Sequence, residues 1–242
     1  MNNPLLLRRR MMMQQETFDN IGYYKRGLLL HLDGIDYGGI SGEWKDRISG
    51  RIFQIDSGTI TLNSKGYYIG GCMRCIDETF VNDLISIATT GITYELAFGG
   101  NPNRERPYLL TVGTGGISNI RGISWYSYND NKYLTAHAAG GVTYSGLSVS
   151  DYTLPQTVSL ASHDSVYSAR WVHNMRSRTS DGPNRTNLSL GYSDSIILGA
   201  WSTVIPYTTF YSVRIYKGII PVDMAIHNQQ IDNNRFNLGI TE

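Results

Sequence analysis

Four acidic residues lie close together near the start of the chain, in a stretch that opens as a strand. Asp33, Asp36, Glu43 and Asp46 fall within the segment GLLLHLDGIDYGGISGEWKDRISG at 27–50. Carboxylates at this density can hold Ca²⁺ together with backbone carbonyls, or can serve as an acid and a base. The spacing of an EF-hand loop is absent, and the glycines and serines between the acids are typical of turns. We therefore favour a structural role for these acids over a catalytic or metal-binding one.

Glycoside hydrolysis would need a different arrangement of carboxylates. Such enzymes place two acids about 5 to 9 Å apart across the scissile bond, and two acids on one strand would alternate. The chain has six glutamates, and none begins an alternating acidic pattern; Glu95 stands alone on its predicted strand. No G-x-S-x-G motif marks a nucleophilic serine. We expect a non-enzymatic protein, although an acid brought next to Glu95 by folding would favour a hydrolase.

The two cysteines of the chain form a single C-x-x-C motif, Cys72 and Cys75. A zinc site needs about four ligands, and neither a second cysteine pair nor an H-x₃₋₅-H partner is present. We expect ordinary reduced thiols and no metal or other cofactor.

Aromatic residues stand beside short polar ones near the middle of the chain. Trp125, Tyr126 and Tyr128 are followed by Asn129 and Asp130. Flat apolar rings next to short polar side chains suit sugars, which have a C–H face and a rim of hydroxyls. These five residues are our predicted carbohydrate site. The alternative is that Trp125 belongs to the core and the tyrosines only end a strand.

The N-terminal segment combines apolar and basic residues in an unusual order. It contains Leu5, Leu6, Leu7, Arg8, Arg9, Arg10, Met11 and Met12. An export signal has its positive charges before the apolar run, so we expect none here. Residues 1–20 could be a frayed tail, or an arm whose leucines and methionines insert into the groove of a neighbouring protein while the arginines meet its carboxylates.

The remaining pattern predicts many short strands. The chain has 26 glycines against 7 prolines, and alternating apolar segments such as RIFQID, TITLN and GITYELAFGG are separated by turn residues. The segment ETFVNDLISIATTG is predicted to be a short helix, with Thr79 as its cap, or a loop, and a further short helix is predicted after Pro221. We predict an all-β, antiparallel β-sandwich with a short C-terminal helix. A net charge of +1 and no long apolar run indicate neither a nucleic acid nor a membrane partner.

The two ends of this sandwich carry a resemblance. The chain resembles the laminin-G-like, concanavalin-A-like jelly-roll modules of phage and bacterial proteins from gut Bacteroidetes. The matching residues are Gly27, Leu28, Leu30, Asp33 and Gly34 in the opening strand, Trp44, Asp46, Ser49 and Gly50 in a turn, and Arg214, Ile215, Tyr216, Asn228, Asp232, Arg235 and Phe236 at the close. Lys217-Gly218 and Ile220-Pro221 depart from the pattern, so no ligand site is carried over.

The resemblance implies a jelly roll over residues 21–242, with the arm at 1–20. It also implies that the first and last strands are neighbours, that Trp44 packs, and that Asp46 bonds backbone groups of its own turn.

The arm is similar to the N-termini of virion proteins from phages of gut Bacteroidetes, including crAss-like phages. That similarity implies a structural protein of the virion, such as a head fibre, capsid decoration or tail component, assembled in the bacterial host cytoplasm. Its expected partners are other virion proteins through the arm, copies of itself, and host-surface glycan through the sandwich. A bacterial surface lectin and a glycoside hydrolase are the alternatives.

Overall fold

The structure is a computed structural model, and it describes residues 18–36, 42–99, 108–113, 121–128, 131–138, 142–143, 147–149, 153–162, 168–181, 195–199 and 207–241. The strands of the first half are β1 Leu28–Asp33, β2 Glu43–Lys45, β3 Ile52–Leu62, β4 Tyr67–Ile76, β5 Ile92–Phe98, β6 Tyr108–Val112 and β7 Arg121–Tyr128. Those of the second half are β8 Asn131–Ala138, β9 Val142–Thr143, β10 Leu147–Ser148, β11 Gln156–Ser162, β12 Ser168–His173, β13 Arg176–Asp181, β14 Ser195–Gly199 and β15 Thr208–Lys217. The two helices among these residues are α1 Glu78–Ala88 and α2 Val222–Phe236.

The strands form two layers of antiparallel sheet that are joined at one point. One layer runs β10-β8-β7-β6-β14-β4, and the other runs β15-β5-β11-β12-β13. They meet where the start of β15 pairs with β4, at Thr208↔Ile69 and Phe210↔Tyr67. β1 pairs with β15, so the first and last strands are neighbours, as predicted.

The core lies between the layers and confirms the all-β sandwich. The indole of Trp125 on β7 and the ring of Phe98 on β5 are 6.1 Å apart at their centroids, although the two strands belong to opposite layers. Trp44, Trp125 and Trp171 are all fully buried. Because each strand has one apolar face, two sheets stacked about 10 Å apart bury both faces at once.

One predicted boundary is wrong. RIFQID and TITLN are not two strands but the single strand β3, which pairs with β4 from Gln54 to Leu62. Ser57-Gly58 is not a turn. A β-bulge at Asp56 shifts the register between Ile55 and Ser57, and Gly58, with a φ of +76°, stays paired with β4. A bulge adds one residue without ending a strand, which the sequence pattern does not distinguish from a turn.

α1 is a helix where a short helix or a loop was predicted, and Thr79 is not its cap. The side chain of Asp77 accepts a hydrogen bond from the backbone N–H of Phe80 at 2.9 Å, so Asp77 is the N-cap and Thr79 lies inside the first turn. Asp is among the strongest N-cap residues. The helix buries Phe80, Leu84 and Ile85 against the core.

α2 begins after Pro221, as predicted, and packs on the outer face of the second layer, against β11, β12 and β15. The face that it buries is polar: Asn228, Gln229 and Asp232 are buried along with Ala225 and Phe236. Within the described part of the chain, no helix is long and apolar enough to cross a membrane.

Candidate carbohydrate-binding surface

The acidic segment at 33–46 supports the fold through its carboxylates. Asp46 accepts hydrogen bonds from the backbone N–H groups of His31, Ile48 and Ser49 at 2.8, 3.1 and 3.0 Å. Trp44 is buried, and its Nε1–H donates to the backbone carbonyl of Asp33 at 3.0 Å. The predicted roles of Trp44 and Asp46 are therefore confirmed.

Replacing Asp46 with alanine should lower the free energy of unfolding by about 2 kcal/mol, because several backbone donors lose a charged acceptor. Urea unfolding measures the change. Asp46→Asn keeps one acceptor oxygen and should cost less, so an equal loss in both variants would contradict this account.

Asp33 links the first strand to the last helix. Its carboxylate accepts from the backbone N–H groups of Ile35 and Asp36, each at 2.9 Å, and from Arg235 of α2 at 3.0 and 3.1 Å. All of these partners are within the protein and the carboxylate is fully buried. Asp33 therefore positions α2 on the sheet.

A second buried acid, Glu95, does lie beside another acid. The guanidinium of Arg214 donates from Nε to Glu95 at 2.8 Å and from Nη1 to Asp232 at 2.9 Å. The hydroxyl of Tyr23 donates to Asp232 at 2.8 Å, and its ring covers the guanidinium at 4.3 Å. We call Arg214, Glu95, Asp232 and Tyr23 the buried ion cluster.

The buried ion cluster does not have the geometry of a hydrolase. Glu95, Asp232 and Arg214 are each about 1% exposed, and both carboxylates are bound to the same guanidinium. Hydrolases of this kind set their two acids across a space that admits the sugar. The proximity of Glu95 to a second acid therefore supports packing of α2 and not hydrolysis.

The C-x-x-C motif lies on β4, where residues three apart point to opposite faces. Cys75 packs in the core, whereas the Sγ of Cys72 lies 3.3 Å from Asp56 on the other side. Both thiols are free, as predicted. Burial raises the pKa of Cys72 and raises that of Cys75 to about 11, so neither is an activated nucleophile.

The predicted carbohydrate site needs a correction at Trp125. Its indole is fully buried against Phe98, so it cannot stack on a sugar, and the core interpretation is the right one. Tyr126 and Tyr128 belong to β7. Asn129 and Asp130 lie outside the described residues, as do the arm residues 5–12, so those assignments stay predictions.

A different pair of aromatic residues is exposed. Tyr68 on β4 is 37% exposed and Tyr207, just before β15, is 36% exposed, which makes them the most exposed aromatic side chains that the structure describes. Between them lies Gly70: a Cβ built there would be 3.5 Å from a ring carbon of each tyrosine. Gly70 itself is buried, so the two rings lie over it and form one exposed aromatic patch.

Hydroxyl groups surround this patch. Thr61 pairs with Tyr68 across the sheet, and Thr59 pairs with Gly70, so both threonines share the face of the exposed ring. Both threonines are exposed. We call Tyr68, Gly70, Tyr207, Thr59 and Thr61 the tyrosine platform.

The backbone of Tyr207 is strained. Its φ is +48°, in the left-handed region that costs a residue with a Cβ about 1–2 kcal/mol. Such strain is concentrated at sites where a side chain must be held in one direction. It holds the ring of Tyr207 beside Gly70.

Sequence reasoning missed this surface. Tyr68 is indicated only weakly, by the glycine pair that follows it inside a strand, since glycine in a strand often marks a close approach. Tyr207 gives no signal, because it meets Tyr68 only through the pairing of β15 with β4.

Comparison with known proteins shows the fold. No family model and no curated protein matches the sequence. Among solved structures, the chain is similar to the sialidase of Trypanosoma rangeli in complex with sialic acid, at 13% identity and a TM-score of 0.64, over 96% of this chain and 39% of that one. It is also similar to the receptor-binding domain of botulinum neurotoxin C/D mosaic serotype, at 10% identity and a TM-score of 0.61, over 84% and 51%.

A third neighbour is the binding domain of botulinum neurotoxin DC in complex with rat synaptotagmin II, at 13% identity and a TM-score of 0.57, over 85% and 52%. This chain spans about two fifths to one half of the length of these proteins. At such identities the likeness establishes the architecture: a β-sandwich that recurs within larger proteins.

Proposed function

We propose that this chain is a non-enzymatic carbohydrate-binding module, and that the tyrosine platform is where it contacts the glycan. The observation that carries the proposal is the placement of Tyr68 and Tyr207 on either side of Gly70. Two neighbouring exposed rings can stack against the C–H face of a pyranose, while the hydroxyls of Thr59 and Thr61 can bond its rim.

The neighbours support the same class of ligand. One was solved with sialic acid, and another is a receptor-binding domain. Their identity to this chain is too low to carry over any site, so the tyrosine platform stands on its own geometry. Exposed aromatic stacking at a single shallow site gives weak binding, and repetition of the module would raise avidity.

Replacing Tyr68 with alanine should weaken binding to a neutral host-surface glycan about fivefold, because one aromatic stacking contact contributes about 1 kcal/mol. Titration of the purified full chain with glycan fragments, followed by NMR, measures this. Tyr68→Phe keeps the ring and should bind as the wild type does.

Tyr207→Gly separates binding from folding. It removes the second ring and also relieves the positive φ, so affinity should fall while the free energy of unfolding stays equal or rises by about 1 kcal/mol. Unchanged affinity in both Tyr68→Ala and Tyr207→Gly would exclude the tyrosine platform as the binding surface.

We further propose that the module is carried on a phage particle and attached through residues 1–20. The support is the resemblance of the chain to virion modules and the apolar and basic composition of the arm. In the full chain, Arg8→Ser/Arg9→Ser/Arg10→Ser should abolish association with particles that lack this protein and leave glycan binding unchanged. Loss of glycan binding instead would indicate a surface lectin whose arm belongs to its binding site.

A further inference from the structure

A cleft opens at the edge of the sandwich, away from the tyrosine platform. It has a volume of about 220 Å³, and its walls include Leu154, Pro155, His173, Asn174, Arg176 and Arg178. We call it the hairpin cleft, because Asn174 and Met175 form the turn between β12 and β13.

The sheet register explains why both arginines border this cleft. Arg176 and Arg178 are two residues apart on β13, so they share a face, with their Cα atoms about 7 Å apart. Arg178 is paired with Trp171, which packs in the core, so this face is the one turned toward the other layer. Ser148 of β10, at the end of that other layer, also borders the cleft.

The positive charge of the hairpin cleft is not neutralised within the described part of the chain. Arg176 and Arg178 are exposed and make no ion pair there, and the residues of the cleft wall include no carboxylate. Burial, with Arg178 nearby, lowers the pKa of His173 to about 4, so His173 is neutral at pH 7. The charge of the cleft therefore comes from the two guanidinium groups.

The polar floor of the cleft is fixed by hydrogen bonds. Gln156 is fully buried and donates from Nε2 to the carbonyl of Leu154 at 2.7 Å, which orients its amide. Its Oε1 therefore accepts from Asn174 at 3.1 Å and lies 2.6 Å from Nε2 of His173. We assign the ring proton to Nε2, which leaves Nδ1 of His173 as an acceptor.

We propose that the hairpin cleft binds the carboxylate of an acidic sugar. Two guanidinium groups on one strand face suit one oxyanion, because each can donate two parallel hydrogen bonds. Leu154, which is 48% exposed, and Pro155 supply an apolar surface for the ring carbons. Nδ1 of His173 can accept a hydrogen bond from a hydroxyl of the sugar. This proposal takes from the proposed function only the assumption that the ligand is a carbohydrate.

The test compares trigalacturonic acid with its methyl ester, which has the same backbone without the charge. The full chain should bind the acid at least tenfold more tightly than the ester in low salt. Arg176→Gln/Arg178→Gln should reduce the affinity for the acid to that for the ester. The control is Arg26→Gln/Lys217→Gln, which removes two positive charges elsewhere: Lys217 lies on β15, four strands from β13. It should bind the acid as the wild type does.

Three results would overturn the inference: equal binding of acid and ester, an equal loss in the control variant, or inorganic sulfate binding as tightly as the acid, which would indicate a site for free anions. The affinity for trigalacturonic acid at the hairpin cleft does not depend on the tyrosine platform. If Tyr68→Ala leaves neutral glycan binding unchanged while the arginine variant loses the acid, the proposed platform fails and the hairpin cleft stands.

Discussion

Replacing Arg214 with leucine is expected to lower the free energy of unfolding by about 3–5 kcal/mol, because it leaves buried carboxylates without their cation. Glu95 and Asp232 would remain under α2, each about 1% exposed. Asn228 would still donate to Glu95 at 2.9 Å and Tyr23 to Asp232 at 2.8 Å, but neither carries a positive charge. Single domains are stable by only about 5–15 kcal/mol, so the loss is large.

A matched variant of the same buried ion cluster should behave differently. Burial raises the pKa of Glu95 although Arg214 opposes that shift, and within the described ranges its Oε1 has no hydrogen-bond partner. Glu95→Gln removes one of two negative charges and leaves the bidentate Arg214–Asp232 pair. We expect it to change stability by less than about 1 kcal/mol, because the group that it replaces is only partly compensated.

Urea unfolding of both variants measures this difference. If Arg214→Leu does not fold, Asp232→Asn is the alternative, since it weakens the same pair while keeping the shape of the side chain. Equal losses for Glu95→Gln and Arg214→Leu would contradict this account, because they would mean that the charge of Glu95 stabilises the fold as much as that of Arg214 does.

The frame of the sandwich could be predicted from the sequence to a large extent, since its two ends carry local signals. Alternating leucines predicted β1, and Pro221 predicted where α2 begins. The Trp44–Asp46 turn makes the contacts that were expected of it. These features depend on neighbouring residues, where spacing alone determines which side chains share a face.

The candidate sites could not be predicted in the same way. Tyr68 and Tyr207 are 139 positions apart and meet only because β15 crosses to β4. Arg176 and Arg178 alternate along the chain, but nothing in the sequence shows that they share a strand face at an open edge beside Leu154. Trp125 illustrates the converse, because a tryptophan beside polar residues can be core as easily as surface.

The stability of the protein should fall steeply as the pH is lowered from 6.5 to 5. His31 is fully buried on β1, and neither ring nitrogen has a hydrogen-bond partner among the residues that the structure describes. Burial, followed by Arg214, Arg47 and Arg235, holds the pKa of His31 well below its usual value. Asp19 and Asp33 face the ring from about 4 Å but do not offset these effects.

The sign follows from proton binding. The unfolded chain protonates both His31 and His173 near pH 6.5, whereas the folded protein does not, since the pKa of His173 is about 4 and that of His31 is also lowered. Each histidine therefore removes about 1.4 kcal/mol of stability for every pH unit below 6.5. Two together give about 2.7 kcal/mol per unit. Glu95 has the opposite effect on stability. Its pKa is raised in the folded protein, so the folded state binds the proton at a higher pH than the unfolded chain does.

Unfolding free energies measured at pH 7, 6 and 5 test this slope, and His173→Gln isolates one of its two sources. Unfolding of that variant should take up about one proton fewer than unfolding of the wild type. Its stability should therefore fall about half as steeply with decreasing pH. A His173→Gln variant whose stability is flat between pH 7 and 5 would mean that the folded protein accepts a proton on His31. In that case Asp19 and Asp33 would outweigh the three arginines, and β1 would tolerate a charged histidine beside the buried ion cluster.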